Sequence, residues 1–383
     1  MSGLRKQMLL NHLQKVQEVL GESSGSESEE QDSLGELPTL NGKPGLGHSA
    51  LEVDETMPKE EIVNWNKFFT EKKMVNIADR AHNFNYYYSL PKNNNDRSIP
   101  IYIFHHGAGS SGLTFANLTK ELYARMNEEC GCFSFDARGH GETTSTLPVK
   151  KIRTIKYDRD AFVNDFKAFI SYIYDMYLIS YPKEKLSIIL VGHSLGGSIC
   201  TFTLTHIRSD IRKRVLGVAM FDIVEEVAIQ ALQKVQHFLY STPNQFPSYK
   251  EAVDWHVSNG LSHLQSSAEI SIPALFQKVK DGGVVRRTDL RMFSPYWDTW
   301  FTGLSHHFVT LATCKLLILA GNDNLDRELI IGQMQGKYQL VVFQDSGHFL
   351  QEDAPKKCAL TLIDFWKRND NKNVVIKSNW GLK

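Results

Sequence analysis

The stretch that decides the fold runs Ile188-Ile189-Leu190-Val191-Gly192-His193-Ser194-Leu195-Gly196-Gly197. Its four apolar residues, three of them β-branched, predict a buried strand, and the residues that follow are compatible with a helix. Between strand and helix lies Gly-x-Ser-x-Gly, the pattern of a sharp turn that raises a serine above the end of a sheet. The two glycines of the pattern remove side chains that would collide in so tight a turn. Ser194 is therefore the predicted nucleophile, and the backbone N–H of Leu195 is the first predicted oxyanion donor.

Strand and helix patterns alternate from about residue 60, which is typical of a mostly parallel sheet with helices on both faces. Short apolar runs predict buried strands at Ile99–Phe104, Cys132–Phe135, Leu186–Val191, Val215–Phe221, Lys315–Ala320 and Tyr338–Phe343. Two runs with polar interruptions, Lys73–Ile77 and Phe84–Leu90, predict antiparallel edge strands. Helices are predicted at Phe115–Asn127, Asp158–Met176, Leu195–Ile207 and Ala354–Trp366. Together with the serine turn, this alternation predicts an α/β-hydrolase fold.

Two segments stand apart from this alternation. Residues 1–55 contain an acidic, serine-rich stretch and predict a flexible N-terminal segment ahead of a hydrolase domain at 56–383. The nearly ninety residues of about 225–313 are rich in aromatic side chains and too long for a plain crossover. They predict an inserted helical lid over the C-terminal edge of the sheet, where open α/β sheets bind their ligands.

The composition excludes several kinds of partner. Lys plus Arg and Asp plus Glu both number 43, so the formal net charge is zero and no basic tract suggests nucleic-acid binding. No apolar run is long enough to span a membrane. The expected oligomeric state is a monomer. The five cysteines include no CxxC, which favours free thiols in a reducing compartment. The cytoplasm is the expected location, with the nucleus as a second one; the basic N-terminus makes the mitochondrion the weaker alternative.

A serine hydroxyl needs a base to remove its proton, and the base needs an acid to orient it. His348 follows the last predicted strand, which is where this fold places its histidine. The acid has two candidates, each at the end of a strand. Chain position alone favours Asp323, after the strand that precedes the histidine strand, over Asp222, one strand earlier.

The second oxyanion donor should come from the loop after the early strand Ile99–Phe104. Small residues in His105-His106-Gly107-Ala108-Gly109 allow close approach of backbone N–H groups, and Ala108 is the predicted donor, with Gly109 second. Adjacent histidines rarely chelate one ion, so no metal site is predicted here or at His306-His307. The charged loop from Asp136 to Gly141 is expected to brace its neighbours rather than to do chemistry.

Several stretches resemble one family, the protein phosphatase methylesterases, which remove the methyl ester from the C-terminal leucine of the type 2A phosphatase catalytic subunit. They are VGHSLGGS at 191–198, MFDIVEE at 220–226, YWDTWFTGLS at 296–305 and the run from Leu319 to Pro355, which contains IGQMQGKYQ. The resemblance covers roughly residues 60–368, and we expect a fungal member.

The resemblance implies a triad of Ser194, Asp222 and His348, since the family takes its acid from the aspartate of the MFD-like strand end. It implies no cofactor, and it implies the phosphatase catalytic subunit as protein substrate. Arg286-Arg287 and the aromatic insertion, Trp297 and Trp300 in particular, are the predicted docking residues. A general carboxylesterase and a non-catalytic phosphatase-binding scaffold are the alternatives.

Overall fold

The apolar runs form the strands of a mixed sheet. The computed structural model describes residues 64–92, 98–232, 242–280, 282–321 and 324–370, so the predicted flexible segment at 1–55 lies outside the described residues. The strands are β1 (Glu71–Ile77), β2 (His82–Ser89), β3 (Ile99–His105), β4 (Gly131–Phe135), β5 (Thr144–Ser145), β6 (Leu186–His193), β7 (Val215–Phe221), β8 (Gln245–Phe246), β9 (Phe276–Lys278), β10 (Val284–Arg286), β11 (Cys314–Ala320) and β12 (Gln339–Phe343).

The central sheet has the order β1-β2-β4-β3-β6-β7-β11-β12, with β5 paired to β2. Pairing is parallel from β4 to β12 and antiparallel among β1, β2 and β4. The prediction that Phe84–Leu90 is an edge strand is wrong, because β2 lies between β1 and β4 and most of its side chains are buried. The predicted β1 does form the edge, and its side chains are largely exposed.

Helices cover both faces of this sheet, as the alternation predicts. They are α1 (Ala116–Arg125), α2 (Arg159–Ile173), α3 (Leu195–Thr203), α4 (Ser209–Arg212), α5 (residues 225–232), α6 (Tyr249–Ser258), α7 (Gln265–Ser271), α8 (Trp297–Phe301), α9 (Leu304–Thr310), α10 (Arg327–Met334), α11 (Leu350–Asp353) and α12 (Pro355–Asn369). Asp158 caps α2 by accepting the Ala161 N–H at 2.8 Å. Pro355 occupies the first turn of α12, where its missing N–H costs nothing.

Alternate residues of β3 show how the layers are filled. Ile101 and Ile103 pack on one face with side chains of α2 and α3, whereas Tyr102 and Phe104 pack on the other with α1 and α12. All four are fully buried. Burying each such side chain stabilises the fold by about 1.5–3 kcal/mol, so this strand is a strong anchor for the loop that follows it.

The insertion between β7 and β11 is only partly the predicted helical lid. Its first part combines α6 and α7 with a three-stranded antiparallel sheet, β8-β10-β9, around a small core that includes Phe246, Val253 and Phe276. Its last part belongs to the main core, because Trp300 and Phe308 are buried in the cluster that contains α2 and α3. The aromatic residues therefore belong to two different cores. The last part, residues 290–310, is mainly helical as predicted, whereas the first part combines helices with strands.

Candidate active site

Ser194 is the single residue between β6 and α3. Its backbone angles are φ +50° and ψ −121°, a strained conformation for a residue other than glycine. Its N–H donates to the Phe221 carbonyl oxygen at 2.9 Å, which ties the turn to the neighbouring strand. A Cβ at Gly196 would overlap the His105 carbonyl oxygen, so this position requires glycine. The turn therefore has the geometry that the sequence pattern predicts.

Asp222 and His348 lie together at the C-terminal edge of the sheet. Asp222 Oδ2 accepts from His348 Nδ1 at 2.7 Å, and Asp222 Oδ1 accepts the Ala320 N–H at 2.8 Å. The Asp222 side chain is 10 % exposed and that of His348 is 39 % exposed. The carboxylate is thus fixed on both oxygens, and it holds the imidazole through Nδ1. Asp323, the alternative acid, lies outside the described residues.

The loop that carries His348 is held from two sides. Asp353 Oδ2 accepts the Gly347 N–H at 2.9 Å, and His193 Nε2 donates to the His348 carbonyl oxygen at 2.8 Å. Among the described contacts, no hydrogen bond joins the Ser194 hydroxyl to the His348 ring. Such bonds are often long in ligand-free sites and shorten when substrate binds, so this geometry is compatible with His348 as the base.

The loop after β3 forms a tight turn beside Ser194. The Ser110 N–H donates to the Gly107 carbonyl oxygen at 3.3 Å, and Gly109 has φ +75°, a conformation that favours glycine. A Cβ at Gly107 would lie 3.1 Å from Ser194 Cβ, so the loop and the serine turn are in direct proximity.

The hydrogen bonds of this turn distinguish Ala108 from Gly109, the two candidates for the second oxyanion donor. The Gly109 N–H donates to His140 Nε2 at 2.9 Å, so it is already used. His140 Nδ1 faces the Arg138 carbonyl oxygen at 2.9 Å, and burial lowers the pKa of His140 well below its usual value, which keeps Nε2 an acceptor. Ala108 is exposed, and the described contacts give no partner to its N–H or to that of Leu195. The backbone N–H groups of Ala108 and Leu195 therefore remain available to an oxyanion.

The charged loop after β4 braces its surroundings, as expected. Asp136 accepts from the Gly112 N–H at 2.7 Å and from Asn85 Nδ2 at 2.8 Å. Arg138 forms a two-point pair with Asp165 of α2, at 2.5 and 2.6 Å. These contacts give Asp136 and Arg138 a structural role, because both side chains hold the loop that contains His140.

The predicted docking residues have different surroundings. Trp300 is 2 % exposed, and its Nε1–H donates to the Tyr157 carbonyl oxygen at 2.7 Å, so the prediction that it contacts a partner is corrected to a packing role. Trp297 is half-buried against the main core. Arg287 is exposed and donates to the Phe276 carbonyl oxygen at 2.9 Å, and Arg286 points to the turn after β3. Docking through Trp297, Arg286 and Arg287 stays a prediction.

The described parts of the chain contain neither a candidate metal site nor a candidate membrane span. No group of three or more His, Cys, Asp or Glu side chains there could hold a metal ion. None of the described helices is long and apolar enough to cross a bilayer. All five cysteines are free thiols, as the sequence predicts.

Comparison with known proteins places this geometry in a family. The model of the alpha/beta hydrolase family matches residues 102–359. A protein phosphatase methylesterase 1 from Saccharomyces cerevisiae is 54 % identical, with 99 % of this chain and 97 % of the relative covered. The chain belongs to the protein phosphatase methylesterase family. It is accordingly an esterase built on the alpha/beta hydrolase fold.

Further members are also fungal, as predicted. A protein phosphatase methylesterase 1 from Candida glabrata is 54 % identical over 99 % of this chain and 98 % of the relative. Another from Schizosaccharomyces pombe is 37 % identical over 81 % of this chain and 86 % of the relative. Among solved structures, an E-2-(acetamidomethylene)succinate hydrolase has a TM-score of 0.59 at 18 % identity, covering 78 % of this chain and 99 % of that chain. This last likeness bears on the fold alone.

Two residues of the site were missed in the sequence. His140 sits in a loop where only the charges suggested a role, and nothing in its spacing ties it to Gly109. Asp353 lies five residues after His348 at the end of a short helical turn, and its contact with the Gly347 N–H depends on how that turn folds back. A local pattern of Gly-His followed by an acid before Pro355 was the one available signal.

Proposed function

We propose that this chain hydrolyses the methyl ester of the C-terminal leucine of a type 2A protein phosphatase catalytic subunit, using Ser194, His348 and Asp222. The observation that carries the proposal is the 2.7 Å hydrogen bond between Asp222 and His348 beside the serine turn. The names of the fungal relatives support a methyl ester on a phosphatase. The leucine and the type of phosphatase come from the resemblance of MFDIVEE and YWDTWFTGLS to the family.

The first half of the reaction forms an acyl-enzyme. His348 Nε2 removes the proton from Ser194 Oγ while Oγ bonds to the ester carbonyl carbon. The carbonyl oxygen becomes an oxyanion and accepts from the N–H groups of Ala108 and Leu195. When the carbonyl re-forms, the bond between the carbonyl carbon and the methoxy oxygen breaks. The His348 imidazolium gives its proton to that oxygen, and methanol leaves.

The second half releases the acid. Water gives a proton to His348 Nε2 and bonds to the acyl carbon, the oxyanion forms again in the same place, and Ser194 Oγ leaves with the proton. Asp222 keeps the imidazole in the tautomer with hydrogen on Nδ1 and stabilises its charged form throughout. The product is a leucine carboxylate, so the reaction turns a neutral ester into an anion.

The experiment compares two substrates and one variant. Wild-type protein and Ser194→Ala are given methylated phosphatase and p-nitrophenyl acetate, and methanol and p-nitrophenol are measured. The variant should lose several orders of magnitude of turnover on both substrates while still binding the phosphatase. Retained hydrolysis in the variant would remove Ser194 as nucleophile. Hydrolysis of p-nitrophenyl acetate alone by the wild type indicates a general carboxylesterase, and binding without hydrolysis indicates a scaffold.

A further inference from the structure

Arg286 brings a cation from the inserted segment to the turn that carries the proposed oxyanion donor. Its Nη1 donates to the Gly109 carbonyl oxygen at 3.4 Å, and its Nη2 lies 3.3 Å from His256 Nε2. The guanidinium carbon stands 5.1 Å from the centre of the Phe276 ring. Gly109 is therefore held at both ends of its backbone, by His140 on its N–H and by Arg286 on its carbonyl.

Both acceptors of Arg286 are neutral. The first is a peptide carbonyl. The second is a histidine whose Nδ1 faces the Ala252 carbonyl oxygen at 2.7 Å, which leaves Nε2 as an acceptor, and burial beside Arg286 lowers the pKa of His256 to about 4. Arg286 is partly buried, and neither contact supplies the negative charge that a guanidinium normally has as its partner in such a place.

Arg286 thus has no ion-pair partner among the described residues, and Asp289, which lines the same small cavity, is paired with Arg291 instead. No described carboxylate lies within ion-pair distance of Arg286, and its Nε is buried without a partner. Burial lowers the pKa of Arg286 to about 10, so the side chain is still charged at neutral pH. Arg291 provides the contrast, because its Nε lies 2.8 Å from Asp289 Oδ1.

Negative charge forms near this cation twice in the proposed reaction. The oxyanion accepts from Ala108, the residue before Gly109, and the product is a carboxylate at the same place. Arg286 Nη1 lies 3.4 Å from the carbonyl oxygen of Gly109, the residue after Ala108. For two unit charges on the order of 10 Å apart, an effective dielectric constant near 20 gives roughly a tenfold change in the stability of an anion. The partly buried charge of Arg286, which costs stability in the resting protein, is offset when such an anion is present.

We propose that Arg286 favours negative charge at the turn of residues 107–110, accelerating ester hydrolysis and retaining the carboxylate product. The identity of that product rests on the proposed function. The chemical class of ligand is a peptide that ends in a free carboxylate, as opposed to the neutral methyl ester or an amide. Release of the demethylated tail is then slowed by the same charge that assists its formation.

The matched variants are Arg286→Gln, Arg286→Lys and Arg291→Gln. The first removes the charge of Arg286, the second restores a charge, and the third removes an equal charge that is already paired. Rates are measured on p-nitrophenyl acetate and on methylated phosphatase. Inhibition is measured with a synthetic peptide of the last six residues of the phosphatase catalytic subunit, prepared as free acid and as C-terminal amide.

In the wild type, the free acid should inhibit roughly tenfold better than the amide. Arg286→Gln should lower kcat roughly tenfold on both substrates and remove most of the preference for the acid, with inhibition by the amide little changed. Arg286→Lys should recover part of both effects, and Arg291→Gln should behave as the wild type. A merely structural role would weaken acid and amide equally and lower the melting temperature.

Three results would overturn the proposal. They are equal inhibition by acid and amide in the wild type, an unchanged kcat in folded Arg286→Gln, and the same losses in Arg291→Gln. The wild-type comparison needs no variant, so it decides the question even if Arg286→Gln does not fold. If the wild type hydrolyses p-nitrophenyl acetate but not methylated phosphatase, the proposed function fails. The rates of the three variants on p-nitrophenyl acetate then still test whether the charge of Arg286 accelerates ester hydrolysis.

Discussion

Replacing Asp222 with asparagine tests the orientation of His348 with little change of shape. Asparagine tolerates the φ of +49° found at this position, and its carbonyl oxygen can still accept the Ala320 N–H, which Asp222 Oδ1 accepts at 2.8 Å. The amide NH₂ then replaces Oδ2 at 2.7 Å from His348 Nδ1 and puts a donor against a donor. The imidazole must therefore adopt the tautomer with hydrogen on Nε2. In the proposed reaction, Nε2 is the atom that accepts the serine proton, so this tautomer cannot act as the base.

The expected loss is on the order of 10⁴ in kcat, or about 5.5 kcal/mol of transition-state stabilisation. Initial rates on methylated phosphatase and p-nitrophenyl acetate measure it, at matched folded fraction from thermal unfolding. Asp345→Asn is the matched control, because its carboxylate lies on the same loop, is 86 % exposed and only meets Lys357 at 3.3 Å. That control should change the rate by less than about twofold.

A folded Asp222→Asn protein with a tenth or more of wild-type activity would refute the reasoning. Asp323→Asn belongs in the same experiment, since chain position alone favoured that residue. It should keep near-normal activity. If Asp323→Asn is the inactive variant, the acid is at the position that chain order favours, and Asp222 serves chiefly to hold the Ala320 N–H.

Three further predictions concern Glu352, Trp300 and Trp297. Burial raises the pKa of Glu352 to about 8, so the folded protein keeps a proton that the unfolded chain releases above about pH 4.3. The free energy of unfolding should therefore fall from there towards pH 8, by up to about 1.4 kcal/mol per pH unit, and urea unfolding of Glu352→Gln should lack this slope. Trp300→Ala should lower the free energy of unfolding by about 3–5 kcal/mol and reduce hydrolysis of both substrates equally. Trp297→Ala should reduce demethylation of the phosphatase more than hydrolysis of p-nitrophenyl acetate if Trp297 contacts the phosphatase. A phosphatase-specific loss in folded Trp300→Ala would contradict its packing role.

The sequence determined the sheet well because its buried strands are continuous apolar runs. The prediction for Val215–Phe221 matches β7 residue for residue, and the other strands of the parallel part differ by one or two residues at their ends. The serine turn was equally predictable, since Gly196 has no alternative where a Cβ would overlap the His105 carbonyl oxygen. Both features follow from local sterics and burial, which a single stretch of sequence contains.

The choice of acid could not be made in that way. Asp222 follows β7 and Asp323 follows β11, and these strands are parallel neighbours whose C-terminal ends meet at one edge. Chain order therefore leaves both aspartates as candidates for the same edge of the sheet, and only the side-chain contacts of the folded protein can separate them. The family resemblance pointed to Asp222, and the hydrogen bond to His348 agrees with it. The prediction for the insertion was incomplete for a related reason, because aromatic residues predict burial but not which core they join.

The histidines around the serine turn differ in their surroundings: His106, His140 and His193 are buried, whereas His348 is partly exposed. Burial lowers the pKa of His106 to about 4 and that of His193 well below its usual value, and each ring is held by a backbone carbonyl at 2.7 or 2.8 Å. His140 is held in the same way and accepts the Gly109 N–H. These rings keep one tautomer at neutral pH, so the loops they hold do not shift with proton transfer. His348 differs in being 39 % exposed and bonded to a carboxylate, which suits the base of the proposed reaction, where its ring becomes an imidazolium once in each half.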